Sequence, residues 1–213
     1  MVTKFSIGIV TFEPHKNVNS SMLAGTIIYI VGPPGVGKYT LGRLLAEQLG
    51  CRLVDNHHWL NVIFSLVEQD GVTPLPQTIW PLAGRVRSAV LETITTLSPP
   101  RWSFIFTHSA LDDPSELTIF EEIKNVAQRR GSRMVAVRLS CRNPDELARH
   151  VAMPERRSRL KDADTISARR NALLPTLDPR HGDTISVETD GLTAEDVAQQ
   201  VVDHIQAQAY IRS

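Results

Sequence analysis

Long apolar runs, cysteine and net charge are what this chain has little of. No apolar stretch approaches the roughly 20 residues that a membrane-spanning helix needs, so no such helix is expected. Only two cysteines occur, Cys51 and Cys141, each beside an apolar run and neither in a metal-ligand spacing. They read as buried, reduced thiols, which suits a reducing compartment. Lysine plus arginine and aspartate plus glutamate number 23 each, so the net charge is zero. Such a balance lacks the basic face of a sequence-independent nucleic-acid binder. The first five residues, MVTKF, contain neither the apolar segment nor the cleavage site of a signal peptide, and the expected location is the cytoplasm.

What remains is 213 residues, 42% hydrophobic and 22% charged, enough for one α/β domain with a decoration or a tail. Residues 1–24 differ from the rest: within Glu13–Ser21, Pro14, Asn17, Asn19 and two serines are loop chemistry. They read either as an appended segment, with Met22 as a natural start, or as an extra edge strand. Residues 25–213 read as one domain.

From Thr26 the pattern alternates. TIIYIV (26–31) is a β-branched apolar run of the kind buried on both faces of a parallel sheet. Residues 38–49 place Leu41, Leu44, Leu45 and Leu49 on one helical stripe, and Gly50 stops the helix. Short strands are expected at 51–54, 102–107, 133–140 and 183–188. Helices are expected at 56–68, 79–97 and 114–130, from Pro144 to near Pro154, at 165–174, and after a capping box at Thr193-Ala194-Glu195-Asp196. Five strands separated by helices predict an open, parallel, doubly wound sheet, which binds ligands beyond the carboxyl ends of its strands.

The sharpest signal is Gly32-Pro33-Pro34-Gly35-Val36-Gly37-Lys38, between the first strand and the first helix. Glycines there bring backbone N–H groups close to phosphate oxygens, and the helix start adds partial positive charge. Lys38 has the place of the lysine that reaches the β- and γ-phosphates. The next position departs from the usual motif: Tyr39 stands where a serine or threonine hydroxyl normally binds Mg²⁺. A phenol oxygen lies too far from the backbone for that point. Thr40 is turned about 100° along the helix and is better placed for the α-phosphate.

On this loop the chain resembles the nucleoside-monophosphate-kinase-like branch of P-loop proteins. Adenylate kinases carry a similar Gly-x-Pro-Gly-x-Gly-Lys-Gly-Thr, with glycine where this chain has Tyr39. Over residues 26–208 the order of elements also resembles shikimate, gluconate and chloramphenicol kinases. The resemblance implies a three-layer α/β/α fold with a five-stranded parallel sheet and a short arginine-rich lid. It implies ATP with Mg²⁺ as cofactor, the ion held mainly by phosphates and water and by no confident side-chain ligand. Gly32, Pro34, Gly35, Val36, Gly37, Lys38, Tyr39 and Thr40 would then form the nucleotide site.

The same resemblance directs attention to five other places. Asp55 ends the second strand, where related kinases use an acid to contact the acceptor or act near Mg²⁺; it would orient the acceptor hydroxyl or accept its proton, or else simply cap a helix. His57 follows as a pocket candidate. Arg85, on the helix before the third strand, could grip a carboxylate or phosphate of the acceptor. Thr107, His108 and Ser109 follow the third strand, with no Walker B acid at its end. Arg149, Arg156 and Arg157 belong to the densest basic cluster, at the position of the lid. Arg149 and Arg157 are the phosphate-contact candidates, Arg157 in a catalytic role with Lys38 and Asp55, and Arg156 is a candidate for the substrate.

Three functions follow. The first is a kinase moving the γ-phosphate of ATP to a small hydroxyl or phosphate acceptor. The second is a nucleotide-binding regulatory or degenerate protein without transfer, for which Tyr39 and the missing strand-end acid argue. The third is a nucleic-acid end kinase, against which the neutral charge argues. Nothing in the sequence identifies the acceptor or the oligomeric state.

Overall fold

Every residue of β1, Thr26–Val31, is buried. A strand without a polar face has no side to give to water, so it takes the middle of the sheet. The computed structural model of the chain describes residues 23–68, 75–109, 114–143, 147 and 182–211. Within them β1 is flanked by β3 (Phe104–His108) and β4 (Arg133–Ser140). β2 (Arg52–Asp55) pairs with β3 and β5 (Gly182–Glu188) pairs with β4. All four pairings are parallel, and the order is β2-β3-β1-β4-β5.

The two-residue period of β1 divides the core. Ile28 and Ile30 face α1 (Lys38–Leu49) and α5 (Ala194–Ile211), through Leu41, Leu45, Val201 and Ile205. Ile27, Tyr29 and Val31 face α3 (Ile79–Thr96) and α4 (Pro114–Arg130), together with Trp59 of α2 (Asn56–Phe64). The result is the three-layer parallel α/β architecture that the strand and helix order predicts.

Several boundaries move. The second strand is shifted one residue, to end on Asp55, whose backbone pairs in register with Thr107. The third strand starts at Phe104; just ahead of it the Ser103 carbonyl accepts from Arg52 N at 2.9 Å, while its hydroxyl donates to the Leu23 carbonyl and accepts from Thr26 N at 3.0 Å. That strand extends to His108, so Thr107 and His108 belong to it. α2 stops at Phe64 instead of 68, since Val62, Leu66 and Val67 are exposed and have no packing to prolong a helix. The capping box is present: Thr193 Oγ1 accepts from Asp196 N at 3.1 Å, and Asp196 Oδ2 accepts from Thr193 N at 3.0 Å. Residues 1–22 and the elements expected at 144–154 and 165–174 lie outside the described residues, apart from Leu147, which is helical and buried. Among the described residues no helix is long and apolar enough to cross a membrane.

Candidate functional site

The parallel sheet brings five strand ends to one edge, and the loop after β1 rises at its centre. Gly32 leaves β1 so close to β4 that a Cβ there would stand 2.6 Å from the Leu139 carbonyl oxygen. Gly37 adopts φ 94°, a conformation that only glycine takes readily, and caps α1 without any side-chain bond. The first turn of α1 contains no acid either, so its N–H groups and partial positive charge are available to an anion. Lys38 Nζ donates to the carbonyls of Gly32 and Pro33, both at 2.8 Å, which holds the ammonium across the loop mouth.

Two strands away, Asp55, Thr107 and His57 converge. Thr107 Oγ1 donates to Asp55 Oδ2 at 2.5 Å. Asp55 Oδ1 accepts from the backbone N of His57 at 2.9 Å and pairs with its ring Nδ1 at 2.8 Å. Asp55 is therefore the N-cap of α2 as well as a strand-end acid. Burial alone would push its carboxyl up, but the bonds from His57 and Thr107 and the His57 charge outweigh burial and hold it well below the usual carboxylate range. Thr107 lies on the α1 side of the sheet: its methyl is 3.4 Å from where a Cβ of Gly42 would be. His108 points to the other layer and stacks with Tyr29, ring centroids 6.4 Å apart.

On the other flank, a cavity of about 370 Å³ opens between the glycine-rich loop before α1 and the ends of β4 and β5. Gly35, Gly37 and Thr40 form its polar side, and Leu139, Leu147 and Leu192 its apolar side. A mostly apolar slot beside a phosphate loop has the chemistry to hold a flat nucleobase. Asp190 shapes it by accepting the backbone N–H groups of Arg142 and Asn143, each at 2.8 Å, which ties the β4 and β5 loops together. These bonds keep the Asp190 carboxyl below its ordinary range. Thr40, not Tyr39, is among the lining residues; Tyr39 is exposed.

The sequence missed this cavity and Asp190. Its polar turn after β5 gave no sign that it meets β4, because the two strands lie more than forty residues apart, a separation seen in the Asp190–Asn143 pair. Cys141 corrects a second expectation: it is half-buried and lines the cavity, whereas Cys51 is buried and burial pushes its thiol up to about 12. Arg85 is exposed on α3, and its neighbour Arg87 is engaged by Glu122 of α4 at 2.7 Å. Trp80, at the start of α3, is exposed and packs edge-on against Phe64. Arg149, Arg156 and Arg157, and with them the lid, lie outside the described residues.

No protein-family model and no curated protein matches the chain. Its fold is similar to solved structures of small kinases. A provisionally assigned kinase from Chloroflexus aurantiacus j-10-fl aligns at 18% identity and TM-score 0.63, covering 88% of this chain and 99% of that one. A gluconokinase from Sinorhizobium meliloti 1021 aligns at 17% identity and TM-score 0.57, covering 90% and 98%. A shikimate kinase from Acinetobacter baumannii, in complex with shikimate, aligns at 23% identity and TM-score 0.55, covering 88% and 97%. At these identities the likeness establishes a shared parallel α/β fold.

Proposed function

We infer that the protein is a kinase that transfers the γ-phosphate of ATP to a hydroxyl of a small molecule. One observation carries this: the phosphate loop and the buried, ionised Asp55 stand on the same edge of the sheet, two strands apart in the order β2-β3-β1. The loop N–H groups and Lys38 would hold the triphosphate. The cavity lined by Thr40 and Leu192 would take the base. The cluster at Asp55 would face the acceptor. Arg149 and Arg157 are proposed for the transferring phosphate and Arg156 for the acceptor, on the resemblance to arginine-rich lids.

The side chains present favour an ion carried by the nucleotide. Tyr39 places a phenol where small hydroxyls ligate Mg²⁺, and the Thr107 hydroxyl is donated to Asp55. Among the described residues no group of three His, Cys, Asp or Glu could hold a metal. Mg²⁺ arriving with ATP would neutralise phosphate charge, its ligands being phosphate oxygens and water. Positioning and charge stabilisation by the loop would supply most of the rate.

The test is a thermal-shift titration with ATP, followed by ADP release and ³¹P NMR of the product with gluconate, shikimate and chloramphenicol as acceptors. Binding of ATP to the folded state must raise the melting temperature. A shift with ATP but no phosphorylated product from a broad panel of hydroxyl acceptors favours the second reading, a nucleotide-binding protein without transfer. The features behind that reading are Tyr39 and a β3 that ends on Thr107-His108 without an acid.

A further inference from the structure

We propose that the Nε2 atom of His57 is the general base that takes the proton of the acceptor hydroxyl, and that Asp55 is its positioning residue. This rests on the kinase reading and deepens it. Three observations carry it. First, both oxygens of Asp55 are engaged: Oδ1 by the backbone N and ring Nδ1 of His57, Oδ2 by Thr107 Oγ1. Second, exposure divides the pair, with 5% of the Asp55 side chain open to solvent against 27% for His57. Third, an ionised carboxylate on Nδ1 requires the proton to sit there, which leaves the lone pair of a neutral imidazole on Nε2. Nε2 has no hydrogen-bond partner among the described residues.

Asp55 is a poor alternative. A carboxylate held far below its ordinary range is a weak proton acceptor, and the bonds that hold it there are the ones a substrate would have to displace. The Nε2 lone pair of the imidazole can take a proton without breaking any bond that holds the cluster together. Geometry points the same way: the Asp55–Thr107 pair is on the α1 side of the sheet, the side from which the phosphate loop rises. The transfer balances. The acceptor oxygen bonds to the γ-phosphorus as its proton passes to His57 Nε2. The bond from that phosphorus to the bridging oxygen breaks, and its electron pair leaves on ADP. The imidazolium then returns the proton to water.

Other charged and titratable groups near His57 have separate roles. His58 is exposed on α2, and His108 stacks with Tyr29 in the opposite layer. On α3, Arg85 is exposed and Arg87 is paired with Glu122. On α1, Lys38 bridges the Gly32 and Pro33 carbonyls.

The experiment measures ADP release from ATP and Mg²⁺ by the full chain, with gluconate, shikimate, chloramphenicol or water as acceptor, over about pH 5 to 9. Wild type, His57→Ala and Asp55→Asn are compared, each checked for folding by its ATP-dependent thermal shift. His57→Ala should lose about 10²–10⁴-fold in kcat, with the KM for ATP changed less than about twofold. Its acid limb should vanish, and added imidazole should restore part of the rate. Asp55→Asn should lose rate but keep an acid limb, because the imidazole that accepts the proton is still present. A His57→Ala enzyme that keeps its rate and acid limb, or an Asp55→Asn enzyme that alone loses the limb, overturns the proposal. A wild-type chain that binds ATP and transfers phosphate to no acceptor overturns the kinase reading, and the base with it.

Discussion

Thr107 Oγ1 donates a 2.5 Å hydrogen bond to Asp55 Oδ2 across two neighbouring strands whose backbones are in register at these residues. Removing the charge of Asp55 therefore has a defined effect on stability. Its folded pKa lies below the ordinary value of about 4. The stability it contributes is fully present above that pH and is lost as pH falls toward the folded value. Asp55→Asn should cost about 1–3 kcal/mol at neutral pH. It should also flatten the decline of stability below about pH 4. Urea denaturation at neutral and acid pH measures both, and equal stability of the two proteins at neutral pH would contradict the observed bonding.

Lys38 bridges two carbonyls of the loop and stands where a triphosphate would be gripped. A charge-assisted bond contributes about 1.5–3 kcal/mol, so Lys38→Ala should weaken ATP binding about 10- to 100-fold. Calorimetric titration reads this directly. Unchanged affinity would remove the phosphate loop from the nucleotide site.

Two loop glycines should fail for different reasons. Gly32→Ala puts a methyl 2.6 Å from the Leu139 carbonyl oxygen, which must move, at a cost of about 1–3 kcal/mol. Gly37→Ala meets nothing within 4 Å and pays only for its positive φ, about 1–2 kcal/mol. Chemical denaturation should find both less stable. ATP affinity should fall more for Gly32→Ala, because there the backbone between β1 and the loop is displaced.

The two cysteines should react at different rates. Cys51 is buried with its thiol raised to about 12, while Cys141 is half-buried beside the cavity. A thiol reagent such as DTNB should label Cys141 first, and ATP should slow that reaction but not the labelling of Cys51. Equal protection of both would place the nucleotide elsewhere.

Local chemistry made much of the fold legible. The TIIYIV run, the leucine stripe of α1 and the Thr193–Asp196 cap depend on neighbours within a few residues, and the structure contains all three. The start of β3 was less legible, since the Ser103 hydroxyl just ahead of it is held by the Leu23 carbonyl, 80 residues away. The place of Asp55 was visible from the sequence, but its two readings, helix cap and strand-end acid, were not separable there. The structure shows one carboxylate in both positions.

The sequence by itself determined the glycine-rich loop between β1 and α1, because glycine spacing, a lysine and the start of a helix are all local. It also determined a parallel α/β sheet, because both periods are written in the chain. Only the tertiary structure decided that β2 lies beside β3 and β4 beside β5. From that order come the Asp55–Thr107–His57 cluster on one flank of the loop and the Asp190-braced cavity on the other. The physical reason is that both are built by hydrogen bonds between residues about fifty positions apart, such as Thr107–Asp55 and Asn143–Asp190. No local propensity specifies such pairs; they form only when the strands that carry them are packed side by side.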